Sequence, residues 1–337
     1  MKAVYLEDPG KIGIKDIKNP IRKKGEALIK VKSIGICGSD IGAYRGTNPL
    51  VSYPRVIGHE IAGEVIDVEE NDKDIKVHDR VIIDPYVYCG NCYPCSLKRT
   101  NCCEDLKVLG VHIDGGMTEL FSHPIKLMNK VPSNISWEQV PMAEPLTIAL
   151  HAIHRTEVKE GEHVAIIGAG PIGLLAALAA LAYRATPVLV DIVDERLEFA
   201  KKLGIKYIIN SKNQNAEEVI KNITNGRMAE VVIEASGANT AIRNTIDFVS
   251  YAGRIAFTGW PKKDTLLPTG LFTKKEIDIR GSRTSAGEFP EALELISKGI
   301  IDVKPIISKV VRLDEVPESV KDLSEHPEKY LKINAVL

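Results

Sequence analysis

Five of the chain's six cysteines fall within "CGNCYPCSLKRTNCC", residues 89–103. Cys89, Cys92, Cys95 and Cys103 follow the spacing C-x2-C-x2-C-x7-C, which can wrap four thiolates around a tetrahedral Zn²⁺. Such an ion strips the thiol protons and closes the loop on itself, and Gly90, Asn91 and Pro94 supply the turns between sulfurs. Cys102 can stand in for Cys103, although the x7 interval favours Cys103. Four soft ligands leave no position for a substrate, so the site reads as structural; an iron–sulfur cluster is the other chemistry four thiolates support. The sixth cysteine, Cys37 in "GICGSD", stands alone. Downstream, "VIGHE" carries His59 and Glu60, and "MAEP" carries Glu144. A thiol, an imidazole and carboxylates gathered by folding would suit a Zn²⁺ with an exchangeable position, which distinguishes a catalytic zinc from a structural one. Singly, each has a plainer reading: a core cysteine, a hydrogen-bonded histidine, a glutamate at a helix start.

A second chemistry is written in "HVAIIGAGPIGLLAALAA", where Gly168, Gly170 and Gly173 form G-x-G-x-x-G. The motif follows an apolar strand and opens an apolar helix, the context that makes it informative. Its glycines allow a tight turn and close backbone approach to a pyrophosphate, and the helix N-terminus offers N–H groups to that anion. The next strand, "PVLVD", ends in Asp191, 18 residues after Gly173. A carboxylate there accepts ribose hydroxyls and repels a 2′-phosphate, and no Arg or Ser suited to NADP follows it, so NAD is expected. Arg196 can lie against the adenine or be an exposed helix arginine.

These residues need two kinds of scaffold. Residues 1 to about 145 contain short β-type runs such as "EALIKVKSIGI", "EIAGEVIDV" and "DRVIID", separated by Gly, Pro, Asn and Asp. From "EPLTIALHAIHRT" onward the pattern becomes alternating strand and helix, with strands at "VAIIG", "PVLVD", "YIIN", "VVIEASG", "RIAFTG" and "IDIRGS". That alternation predicts an α/β unit, a doubly wound parallel sheet with helices on both faces. A helix "FPEALELISKG" and strands "IISKVVRL" and "LKINAVL" close the chain.

The 337 residues suffice for two domains, and 44% apolar with 26% charged residues is an ordinary globular balance. A formal charge of −1 offers no field for nucleic acid or an anionic membrane. The longest apolar run, "IGLLAALAALA" from Ile172, is about half a membrane span, and "MKAVYLEDPGKIGI" lacks the apolar core of a secretory signal. A cytoplasmic location is expected, and there clustered cysteines read as metal ligands.

Taken together, "ICGSD", "YPRVIGHEIAGEV", the four-cysteine lobe, "DGGMTEL", "AEPL", "GAGPIG" with Asp191, and "GRIAFTG" resemble the zinc-containing medium-chain alcohol dehydrogenases over essentially the whole chain. The resemblance implies a GroES-like β catalytic domain plus a Rossmann NAD-binding domain: 1–146 catalytic with the zinc lobe at 85–106, 147–284 Rossmann, and 285–337 returning to the catalytic domain. It implies two zincs per chain, the catalytic one held by Cys37, His59 and one or both of Glu60 and Glu144. It also implies cofactor contacts from Gly168, Gly170, Pro171, Ile172, Gly173, Asp191, Gly259 and Arg283. Ser39, two residues past Cys37, is the expected hydroxyl for passing on the alcohol proton, and Tyr44 and His112 are weaker pocket candidates. Glu144 stands where alcohol dehydrogenase itself, with its Cys₂His set, has its third zinc ligand, a cysteine, and the change resembles the polyol, sugar-acid and threonine dehydrogenase branch. Within it the chain looks most like sorbitol dehydrogenase and the bacterial L-gulonate and L-galactonate 5-dehydrogenases. Reversible NAD-linked oxidation of a small-molecule secondary alcohol is therefore expected, with L-threonine as the rival substrate and a homodimer or homotetramer as the assembly. A non-catalytic NAD-binding relative would be expected to lack Cys37, His59 or Glu144. A zinc-ribbon nucleic-acid binder would need a basic lobe, yet Lys98 and Arg99 sit beside Glu104 and Asp105. Two departures from the family pattern are Glu69 in "VEEND", where a turn glycine is common, and Gly42, where many relatives carry a relay histidine.

Overall fold

"EALIKVKSIGI" alternates apolar and polar residues, then turns apolar on both faces near its end. In the computed structural model, which describes residues 1–337, it is the strand Glu26–Ile36, with Ala27, Ile29, Val31 and Ile34 buried. The chain divides into two compact units, Met1–Glu144 with Phe289–Leu337, and Pro145–Glu288.

In the first unit Glu26–Ile36 lies inside a seven-stranded sheet. Glu60–Val68 pairs with it antiparallel on one side and the C-terminal strand Lys332–Val336 on the other. The register places Glu60 opposite Gly35, and Ile333 opposite Ile36. Continued by one residue, it sets Lys332 beside Cys37. Ile29, Ile34, Ile57, Ile61 and Met117 are fully buried in the shared core, each contributing about 1.5–3 kcal/mol by leaving water. Glu69 performs a local task in place of a turn glycine, its Oε1 accepting the Gly25 N–H at 2.6 Å.

His123, on the strand Leu120–Pro124, is 2% exposed and its Nε2–H donates to the Asp84 carbonyl at 3.1 Å. Burial pulls its pKa down from 6.5 to about 4, so the fold holds a neutral imidazole. Below pH 6.5 the unfolded chain binds a proton that the fold refuses. Stability is thus lost as pH falls from 6.5 to about 4, by about 3 kcal/mol in all. Urea midpoints measured across that window should show a drop that His123→Gln largely removes; an identical drop in the variant would assign it to other groups.

The second unit holds six strands: His163–Ile167, Thr186–Asp191, Tyr207–Asn210, Ala229–Glu234, Val249–Phe257 and Asp278–Gly281. All pair in parallel, and their spatial order, numbered within the unit, is 3-2-1-4-5-6. This is the doubly wound topology expected from the alternating pattern. His163–Ile167 and Thr186–Asp191 are buried almost throughout because helices cover both faces of such a sheet. No helix in the chain is long and apolar enough to cross a membrane.

Candidate active site

Cys37 follows the strand Glu26–Ile36 and, in extended conformation, caps the helix Gly38–Tyr44. His59 immediately precedes the strand that begins at Glu60. Cross-strand register therefore brings the two segments together, and a Cys37 Sγ, a His59 ring nitrogen and a Glu60 carboxylate oxygen all lie within 4.8 Å of one another. Zinc bond lengths of about 2.0–2.3 Å let one ion reach all three.

Asp40 clips the two ligand-bearing segments. Its Oδ2 accepts the Cys37 N–H at 2.8 Å and its Oδ1 the Gly58 N–H at 3.1 Å, at 1% exposure. Gly35 makes room for Glu60: a Cβ there would stand 1.7 Å from Glu60 Oε2. On the far side the buried Lys332 ammonium donates to Glu60 Oε1. Burial penalises that ammonium, but Glu60, then Cys37 and Glu144, outweigh the penalty and raise its pKa.

Glu144 lies outside the three-ligand group, in the first turn of the helix Ala143–Arg155. It is buried, and its Oε1 accepts from the Tyr86 hydroxyl. Burial raises its pKa and His59 opposes the rise, which puts its charge in the field of the same centre. Around His59, burial favours the neutral ring, yet Cys37, Asp40 and Glu144 reverse the balance and hold its pKa well above 6.5. Thus Cys37, Asp40, Glu60 and Glu144 face one lysine and one imidazole. His59 Nδ1 and Glu60 Oε2 are buried without a hydrogen-bond partner, so a divalent cation fits both the charge and the orphaned donors. Ser39 Oγ is likewise buried without a partner.

The four-cysteine lobe groups Cys89, Cys92, Cys95 and Cys103 within the same 4.8 Å limit. Cys103 Sγ lies 3.5 Å from Cys89 Sγ and 3.8 Å from Cys92 Sγ. Backbone N–H groups of Asn91 and Cys92 pull the Cys89 thiol down to about 6, whereas burial pushes Cys95 up to about 12. Backbone donors thus already favour one thiolate, and a zinc ion would displace the protons of the remaining thiols. Cys102 points elsewhere, its Sγ accepting from Arg99 Nη2 at 3.8 Å.

In the second unit Gly168 has φ +109° and Gly170 caps the helix Pro171–Ala182, with Pro171 and Ile172 in its first turn. A Cβ on Gly173 would meet the Gly168 carbonyl oxygen at 1.7 Å, so the helix approaches the strand only with glycine there. Gly168, Asp191, Ile192, Ser211 and Asn244 line a cleft. Asp191 is held rigidly, Oδ2 accepting from Ala169 N–H at 2.5 Å and Oδ1 from the Ile192 and Val193 N–H groups at 2.7 and 2.9 Å. Gly259 follows the fifth strand, its N–H on the Glu234 carbonyl at 3.1 Å. Arg196 lies on the helix Asp194–Lys202, outside the cleft lining, and Arg283 is exposed after the last strand. His112 Nδ1 accepts the Val108 N–H at 3.1 Å in a local turn, and Tyr44 packs on the core.

Sequence reasoning missed Asp40, Tyr86 and Lys332. Asp40 had a signal, an acid three residues after the helix-capping Cys37. Lys332 is a charge inside an apolar strand, but its partner is invisible without the register. Tyr86 had none.

Two family descriptions match the chain: "Alcohol dehydrogenase GroES-like domain" over residues 23–133 and "Zinc-binding dehydrogenase" over 171–298. A Haemophilus influenzae "uncharacterized zinc-type alcohol dehydrogenase-like protein" is 59% identical over 337 residues, 100% of this chain and 98% of that one. The L-galactonate-5-dehydrogenase of Escherichia coli K12 is 37% identical over 304 residues, 89% of this chain and 88% of the relative. The crystal structure of an E. coli CFT073 alcohol dehydrogenase (rspB) complexed with cofactor NADH superposes with a TM-score of 0.93 at 34% identity, covering 100% of this chain and 99% of that one.

Proposed function

Because the chain belongs to the zinc-dependent alcohol and polyol dehydrogenase family, we propose that it reversibly oxidises a secondary alcohol of a polyol or sugar acid with NAD. The observation that carries this reading is the grouping of Cys37, His59 and Glu60 around a space that suits a cation. A zinc ion held there would supply Lewis acidity, favouring loss of the hydroxyl proton. NAD supplies the hydride acceptor.

The protein's own groups do the rest. Cys37 and His59 are the permanent ligands. Glu60 shares its charge with Lys332, which leaves it a weaker, exchangeable donor. Glu144 acts beside it, as a ligand or by orienting the group that occupies the open position. Ser39 Oγ, buried and without a partner, takes the alcohol proton onward. Gly168, Gly170, Pro171, Ile172 and Gly173 receive the pyrophosphate at the helix N-terminus, and Asp191 receives the ribose. Gly259 and Arg283 are further cofactor contacts, and Arg283 suits a substrate carboxylate. Cys89, Cys92, Cys95 and Cys103 hold the second, structural zinc. A cytoplasmic homodimer or homotetramer is the proposed setting.

The favoured substrates are L-gulonate and L-galactonate at C5, supported by the galactonate dehydrogenase relative. The test is NADH formation on aldonates, sugar alcohols and L-threonine, with a zinc count per chain. Turnover of an aldonate by protein carrying two zincs is expected. Turnover of L-threonine alone would move the enzyme to the amino-alcohol branch, and none on any secondary alcohol by zinc-loaded protein would overturn the reading.

A further inference from the structure

Tyr86 belongs to two structures at once. Its short strand, Tyr86–Val87, pairs with Lys107–Val108 across the base of the four-cysteine lobe. Its side chain joins Cys103 and Leu106 in the lobe's own small apolar core, which Cys92 and Cys95 border. At the other end its hydroxyl donates to Glu144 Oε1.

We propose that Tyr86 is a positioning residue that ties the four-cysteine lobe to the reactive centre: the lobe seats the ring, and the hydroxyl sets the orientation of Glu144. A carboxylate rotates about its Cγ–Cδ bond unless a fixed donor holds one oxygen, and partners behind metal-site groups typically carry tenfold to hundredfold effects on metal affinity or activity. Here the donor is fixed by a hairpin and, through Cys103, by a metal ligand of the lobe. The lobe is therefore more than a local staple, because loosening its core reaches Glu144 without touching Cys37, His59 or Glu60. The inference rests on the proposed role of Glu144 at the catalytic zinc.

The test uses the full zinc-loaded chain and follows the rate at which excess chelator removes the zinc whose departure ends turnover, together with kcat and KM. Tyr86→Phe keeps the ring and should speed that removal roughly tenfold and lower kcat, while the lobe zinc leaves at the wild-type rate. In a Glu144→Gln background Tyr86→Phe should add nothing. Leu106→Ala, which loosens the lobe core, should give a smaller acceleration that disappears when Tyr86 is already Phe. Wild-type zinc loss in Tyr86→Phe while Glu144→Gln alters it would overturn the tie and leave the role of Glu144 standing. So would an undiminished effect of Tyr86→Phe in the Glu144→Gln background, or a lobe zinc that loosens equally in Tyr86→Phe. A Glu144→Gln enzyme with wild-type zinc loss and kcat would remove both readings.

Discussion

Cys37→Ala is expected to lower turnover by about a thousandfold or more, to leave one zinc per chain in place of two, and to keep NADH binding. Cys37 Sγ is one of three donors within 4.8 Å of one another, and without it the remaining imidazole and carboxylate are a poor site. Losing Lewis-acid stabilisation worth several kcal/mol removes about three powers of ten in rate. The fold should survive, because Asp40 grips the backbone N–H of residue 37 and not its side chain. Metal analysis, NADH titration and steady-state rates on one preparation would decide it. A folded variant that keeps two zincs and near-normal turnover would take Cys37 out of the reactive centre.

The second large effect is on stability. Lys332→Met leaves the Glu60 carboxylate, 0% exposed, without its ammonium partner. Breaking a buried pair from one side costs about 3–5 kcal/mol, most of it the desolvated charge left behind. The urea midpoint should fall accordingly when variant and wild type are compared with the catalytic zinc removed from both, and Glu60→Gln should recover part of the loss when added to Lys332→Met. If Lys332→Met unfolds at the wild-type midpoint, the pair is not what holds the C-terminal strand beside Cys37. The double substitution also separates charge from packing, since Gln keeps the shape of Glu60 above Gly35.

The parallel unit was largely legible in advance. "VAIIGAGPIGLLAALAA" is a strand, turn and helix whose parts are neighbours in sequence, so period, glycine placement and helix start all speak locally. The antiparallel unit was legible as strands but not as a sheet. Its central strand pairs with Lys332–Val336 from the far end of the chain, and no local pattern encodes a register across that separation. Cys89, Cys92, Cys95 and Cys103 could be read together because short spacing alone brings them near one another. Asp191 could be placed at a strand end, but not its three backbone N–H contacts, which come from the folded turn.

Residue types and short-range spacing determined, by themselves, that this chain has a dinucleotide turn, a four-thiolate lobe and the ingredients of a second metal centre. Local chemistry is sufficient there, because ligands a few residues apart cannot be far apart in space. Only the tertiary structure decided how the two carboxylates stand relative to Cys37 and His59. Cross-strand register sets Glu60 over Gly35 and beside Lys332, whereas Glu144 is turned to Tyr86. Coulomb and hydrogen-bond energies depend on separation in space, and for groups distant in sequence that separation exists only once the strands have paired.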